Sequence, residues 1–274
     1  MEGDTEMLNA IAASLADVRK SDPLVHQITN YVTVNDCANV TLALGGSPVM
    51  ADDLAEVVEM ASIAQALVIN IGTLNARTIA SMLAAGKRAT ERGIPVILDP
   101  VGIGATKLRT DTVKTIVEEV RPTVIRGNMS EIKCLAGLSV AIKGVNSIAD
   151  ETHGAEVAGR LAKQLTCIVA ITGKQDVVSD GARTCLIDNG HELLRKVTGT
   201  GCMTSALVGT YCGAIKDSYV GTVAGIVTMG LAGEIAQRSL VPGEGIGTFR
   251  VRLFDAIYNL TPDGLRRQGK VSGA

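Results

Sequence analysis

The chain has 274 residues, a length suited to one large α/β domain, and its formal net charge of −2 and pI near 6.0 argue against a nucleic-acid-binding or anionic-membrane surface. Any phosphate site must therefore be local. Six cysteines with no C-x-x-C pair, beside only three histidines, argue against structural zinc, and several lie in apolar runs as reduced core cysteines do.

The N-terminus, Met1-Glu2-Gly3-Asp4-Thr5-Glu6, lacks the basic start and apolar core of a signal peptide, so the expected location is cytoplasmic. Short β-rich runs at 24–29, 66–71, 95–99, 123–126 and 167–172 alternate with helical patterns at 33–44, 53–64, 76–91, 108–120 and 151–165. Ser47-Pro48-Val49-Met50 reads as a short loop before the second helix, which Asp52 or Asp53 would cap, as Asn75 would cap the third. Nearly continuous apolar strands predict a mostly parallel sheet with helices on both faces. After Thr172 the pattern changes to a hairpin, 177–179 and 184–187, around an Asp180-Gly181 turn.

The most apolar region, 199–236, is interrupted by Lys216-Asp217, and neither half offers ~20 uninterrupted apolar residues. It reads as two buried central helices, covered in part by another subunit. A mobile loop, Gly243-Glu244-Gly245-Ile246-Gly247, precedes a last helix at 249–259. With no Trp, two Phe and four Tyr against 30 Gly, the core must be filled by Val, Ile, Leu and Ala at close helix–sheet spacing. No linker or repeat divides 1–274, which reads as a single domain.

In open α/β sheets the ligand lies beyond the carboxyl ends of the strands, and here those ends carry chemistry. They run into Thr29-Asn30, Asp99-Pro100-Val101-Gly102-Ile103-Gly104, Arg126-Gly127-Asn128-Met129-Ser130-Glu131 and Thr172-Gly173-Lys174. Singly, Asp99 reads equally as a turn residue before Pro, Glu131 as a helix first-turn charge and Arg126 as their ion partner; together they exceed what solvation requires. Hard oxygen ligands beside a phosphate cradle suit Mg²⁺, and Arg126 and Thr172 suit phosphate oxygens.

Val197-Thr198-Gly199-Thr200-Gly201-Cys202 leads directly into an apolar, helix-competent run. Glycines beside a helix start make an anion hole from backbone N–H groups, here Gly199, Thr200 and Gly201. Cys202 falls where a thiol pKa tends to be lowered. A glycine-rich turn holding a small buried cysteine is the plainer alternative. Other nucleotide motifs fail: Thr172-Gly173-Lys174 lacks the upstream glycine of a Walker A loop, and Gly102-Ile103-Gly104 lacks the third glycine of the dinucleotide fingerprint.

From residue 26 to about 259 the chain resembles the hydroxyethylthiazole kinases, the thiamine-salvage branch of the ribokinase-like superfamily. The resemblance rests on His26-Gln27-Ile28-Thr29-Asn30-Tyr31-Val32, Gly46-Ser47-Pro48-Val49-Met50-Ala51, Asp99 to Thr106, Arg126 to Glu131 and Thr198 to Cys202. It implies a three-layer ribokinase-like fold and Mg-ATP-dependent phosphorylation of the primary alcohol of 4-methyl-5-(2-hydroxyethyl)thiazole. It implies Asn30, Met50, Thr198 and Gly199 at the thiazole, Arg126 and Thr172 at ATP, and Asp99 and Glu131 at the metal, partly through water. Cys202 stands where related kinases carry an Asp base facing the substrate hydroxyl. A homotrimer with active sites between subunits is implied too, with Asn30 and Met50 of one chain near Cys202 of another and the 200–236 helices contributing to the interface. Gln27 departs mildly from the Asn of many members. Two other readings remain open: a related kinase acting on a hydroxymethylpyrimidine- or pyridoxal-type alcohol, and a catalytically idle nucleotide-binding protein.

Overall fold

The computed structural model describes residues 2–138 and 153–273. The predicted apolar runs form strands, joined by an edge strand: β1 (Leu24–Ile28), β2 (Ser47–Val49), β3 (Ala66–Asn70), β4 (Val96–Asp99), β5 (Val124–Asn128) and β6 (Ile168–Thr172). These six are parallel. β7 (Asp176–Ser179), β8 (Thr184–Ile187) and β9 (Val271–Gly273) extend the sheet in antiparallel fashion, giving the order β2-β1-β3-β4-β5-β6-β7-β8-β9. The Asp-Gly hairpin is β7–β8, as its turn chemistry predicts.

Side-chain alternation along each strand feeds two cores. In β3, Val68 faces one core while Leu67 and Ile69 face the other. The first core is covered by α1 (Glu2–Ser21), α2 (Val34–Leu44), α8 (Thr200–Ala214), α9 (Ser218–Arg238), α10 (Ile246–Tyr258) and α11 (Pro262–Gln268). The second is covered by α3 (Val57–Ile63), α4 (Ala76–Arg92), α5 (Lys107–Glu119), α6 (Met129–Leu138) and α7 (Gly154–Leu165). The fold is therefore a three-layer α/β arrangement, as the sequence pattern predicts.

Asn75 caps α4 as predicted, within a capping box shared with Thr78. The second predicted helix is shorter than its pattern. Asp53 accepts from the N–H of Ala55 and closes a turn, and Asp52 is engaged by Arg77, so α3 starts only at Val57. Ser47-Pro48-Val49 is a strand rather than a loop; at the sheet edge the missing proline N–H is tolerated. α10 starts at Ile246, inside the stretch expected to be loop. Residues 151 and 152 of the predicted fifth helix lie outside the described residues. Sequence reasoning did not anticipate α1, whose Ile11, Leu15 and Val18 are fully buried, nor α11 and β9.

α8 and α9 are the predicted central helices. α9 is long and apolar enough to cross a membrane by length and composition, and 83% of its apolar window is buried inside the chain. Glycine makes that burial possible: a Cβ on Gly225 would come within 2.7 Å of the Val208 backbone, and one on Gly209 within 2.5 Å of Val68. Most of the apolar surface of these helices is buried within the chain. Exposed apolar side chains lie elsewhere, at Tyr31, Val32, Leu42, Ile246, Val251 and Tyr258.

Candidate active site

Six parallel strands deliver their carboxyl ends to one edge, and α8 starts above it. Gly199 precedes α8 with φ +92°, and a Cβ there would stand 2.6 Å from Thr33 Cγ2, so conformation and space both demand glycine. At Gly201 a Cβ would come within 3.0 Å of the Arg126 guanidinium. Glycine thus lets a cation lie against a helix start whose first N–H groups lack intrahelical acceptors.

From this point a polar chain runs along the sheet edge. Arg126 is buried; its Nη2 donates to Thr172 Oγ1 at 2.6 Å and its Nη1 lies 3.7 Å from Asp99 Oδ2. Asp99 Oδ2 also accepts from Ser205 Oγ at 2.8 Å and Asn70 Nδ2 at 2.9 Å. Asn70 Nδ2 donates further to Cys202 Sγ at 3.2 Å, and Asn30 Nδ2 donates to the same sulfur at 3.3 Å. Asn30 is held in turn by the backbone N–H and hydroxyl of Thr33, both donating to its Oδ1.

Two expectations change here. Asn30 meets Cys202 within one chain, not across an interface, because β1 and β3 are neighbours and α8 crosses above both. The Cys202 thiol is pushed above its ordinary range, not lowered: burial dominates and the Asp99 carboxylate adds to it, outweighing hydrogen bonds from Thr33, Asn30 and Asn70. Burial likewise pushes Asp99 upward, against Arg126, Ser205 and Asn70.

Glu131 sits in the first turn of α6, its Oε1 accepting from Gly102 N–H at 2.9 Å and its Oε2 from Asn128 N–H at 2.8 Å. It thereby ties the loop after β4 to the end of β5. Asp99 Oδ1 is buried and has no hydrogen-bond partner. Among the described residues no three His, Cys, Asp or Glu side chains cluster as a protein-only metal cage. Mg²⁺ is usually held by one or two carboxylates with water and phosphate, and a free Asp99 oxygen near Glu131 fits that demand.

Met50 follows β2 and packs half-buried against the first core. His26 Nε2 bonds the neighbouring Ala51 carbonyl at 2.7 Å, fixing this segment to β1. Thr198 is exposed beside Gly199. The group brought together is Asn30, Asp99, Arg126, Thr172, Gly201 and Cys202; Met50 lies just beyond the edge strand β2, and Thr198 in the loop that leads into α8.

Four site-shaping residues escaped sequence reasoning. Asn70 and Ser205 hold Asp99, and Asn70 was legible as the single polar residue ending an apolar strand. Arg109 donates to the carbonyls of Ile71, Gly72 and Val101, clasping the loops after β3 and β4. Asp176 accepts from Gly173 N–H at 2.8 Å, and burial pushes its carboxyl up to about 6. A carboxyl raised on folding adds stability below its unfolded value and loses it as pH rises past the folded one. Asp176→Asn, uncharged throughout, should therefore stabilise the chain by about 1–3 kcal/mol at pH 7.5 and hardly at pH 4. Equal changes in thermal midpoint at both pH values would refute this.

A guanidinium and a buried carboxylate under a glycine-capped helix start form a site suited to a phosphate-bearing ligand. Such a site at the carboxyl edge of a parallel sheet defines a class, the phosphate-binding α/β proteins. A ribokinase-like superfamily protein from Enterococcus faecalis V583 shares the fold alone, with a TM-score of 0.59 at 10% identity over 86% of this chain and 87% of that one. A family model described as the hydroxyethylthiazole kinase family matches residues 15–263, and the chain belongs to that family. It is 53% identical over 267 residues to a hydroxyethylthiazole kinase of Alkaliphilus oremlandii, covering 97% of this chain and 98% of the relative. The solved structure of a hydroxyethylthiazole kinase from Pyrococcus horikoshii OT3 superimposes with a TM-score of 0.87 at 41% identity, covering 96% and 98% of the two chains.

Proposed function

We propose that the chain, acting as one kinase domain, transfers the γ-phosphoryl group of ATP to the hydroxyethyl group of 4-methyl-5-(2-hydroxyethyl)thiazole, a thiamine-salvage step, in the cytoplasm. The observation that carries the site assignment is the unbroken polar chain from Asn30 through Asn70, Cys202 and Asp99 to Arg126 and Thr172. It joins an acceptor end to a nucleotide end along one sheet edge.

In this reading Asn30, Met50, Thr198 and Gly199 hold the thiazole, with unbranched Met50 as a wall of the ring pocket. Cys202 faces the hydroxyl. Arg126 and Thr172 hold the polyphosphate, and the N–H groups of Gly199, Thr200 and Gly201 receive charge on the transferred group. Asp99 and Glu131 would hold Mg²⁺, Glu131 through water because both its oxygens already accept backbone N–H groups. When bound, that ion would neutralise phosphate charge. The protein's own part is positioning, which is most of what phosphoryl transfer asks of an enzyme.

A coupled ADP-release assay with thiazole, hydroxymethylpyrimidine and pyridoxal alcohols tests the reading. Turnover selective for the thiazole alcohol is expected. Preference for another alcohol moves the substrate class, and nucleotide binding without turnover of any alcohol supports the idle alternative.

The assembly proposed is a homotrimer with sites between subunits. Asn30, Asp99, Arg126 and Cys202 come together within one chain, so the neighbour would close the acceptor side over the loop after Asn30, where Tyr31 is 79% and Val32 59% exposed. Sedimentation should find trimers, and a fully active monomer would count against the arrangement.

A further inference from the structure

We infer that Asn70 is a positioning residue for phosphoryl transfer, one whose amide locks the Cys202 thiol and the Asp99 carboxylate into a single frame. The inference deepens the kinase reading and rests on it. Asn70 ends β3, is 1% exposed and has its whole hydrogen-bonding capacity in use. Its two N–H bonds point at Asp99 Oδ2 (2.9 Å) and Cys202 Sγ (3.2 Å), and its Oδ1 accepts from Asn30 Nδ2 (3.0 Å) and Gly72 N–H (2.9 Å).

This pattern admits one orientation of the amide. A flipped Asn70 would set its carbonyl oxygen against the Asp99 carboxylate and its amino group against the Gly72 N–H. Asn30 is equally constrained, because its oxygen is taken by Thr33 and its amino group by Asn70 and Cys202. Gly72 protects the arrangement, since a Cβ there would come within 2.9 Å of Asn30 Cβ.

The arrangement bears on what Cys202 does. Two amide N–H groups reach its sulfur, so both lone pairs of the neutral thiol are engaged. A neutral thiol held this way, with the Thr33 hydroxyl as a further partner, is a poor proton acceptor and acts by its place rather than as a base. Asn70 then sets where the sulfur stands and, through the same nitrogen, where the Asp99 carboxylate stands relative to Arg126. No covalent step on the protein is involved. A misplacement of about 1 Å can cost an enzyme about a hundredfold in rate.

The test is a double-mutant cycle on the full chain, with the thiazole alcohol and ATP as substrates. Asn70→Ser should lower kcat about ten- to a hundredfold and move the KM for ATP less than about threefold. In a Cys202→Ala background the same change should cost less than half as much on a logarithmic scale, because one of its two targets is gone. Calorimetric binding of the thiazole alcohol without ATP, a readout independent of turnover, should weaken with Asn70→Ser. Should Asn70→Ser not fold, Asn70→Asp keeps the shape and the acceptor oxygen while removing both donors, and the same losses are expected. An unchanged kcat, strict additivity with Cys202→Ala, or equal rises in both KM values at constant kcat would overturn the proposal. If the wild-type chain turns over a different alcohol, the substrate reading fails, and the cycle run with that alcohol still decides the role of Asn70.

Discussion

Cys202→Ala is expected to lower turnover about ten- to a thousandfold and to leave ATP binding nearly intact. The thiol is a weak candidate base: burial and Asp99 push it toward the protonated form, and two amide groups occupy its sulfur. Phosphoryl transfer through a loose transition state asks little of a base. The loss should therefore come from removing the polar group against the substrate hydroxyl. The greater part of the rate should remain with the first-turn N–H groups of α8, Arg126 and the proposed Mg²⁺. Cys202→Asp should stay clearly active, since the helix dipole and the Asn30 and Asn70 donors favour a carboxylate there while Asp99 opposes it. Steady-state kinetics of both variants decide the matter. Full activity in the alanine variant would make Cys202 a packing residue.

Arg126→Ala should raise the KM for ATP about ten- to a hundredfold, the equivalent of ~1.5–3 kcal/mol for a lost charge-assisted contact, and raise that for the thiazole alcohol much less. The structure adds a second consequence. Arg126 is ion-paired with Asp99, a carboxylate 1% exposed with one oxygen unpartnered, so truncation strands a buried charge. A lower thermal midpoint should accompany the kinetic defect. Arg126→Lys keeps the charge but loses the fork that reaches Thr172 and lies along Gly201, and should recover stability better than ATP affinity. An ATP constant unchanged in the alanine variant would remove Arg126 from the nucleotide site.

The alternation of apolar strands and amphipathic helices, the Asp-Gly hairpin, the Asn75 cap and the loaded strand ends were all legible in the sequence. Each depends on residues within a few positions of one another, and periodicity and turn chemistry act at that range. Asp99, Arg126, Thr172 and the Gly199–Cys202 loop could be picked out for the same reason: strand ends in a parallel sheet share an edge whatever the details of packing. Asn70 stood at such an end too, and the same rule applied to the third strand finds it.

Other features arose only when distant segments met. Asn30 and Cys202 lie 172 residues apart, and whether they join within a chain or between chains depends on where α8 crosses the sheet. The direction in which the Cys202 thiol shifts follows from burial and from a carboxylate on another strand, which outweigh the local effect of a helix start. How much of the apolar surface of glycine-rich α8 and α9 is covered within the chain was not legible in composition; their glycines let the two helices and the sheet approach closely enough to bury most of it. Local pattern determines which segments form and which ends carry chemistry; desolvation, charge pairing and steric fit are properties of the assembled neighbourhood, so the tertiary structure alone decided them.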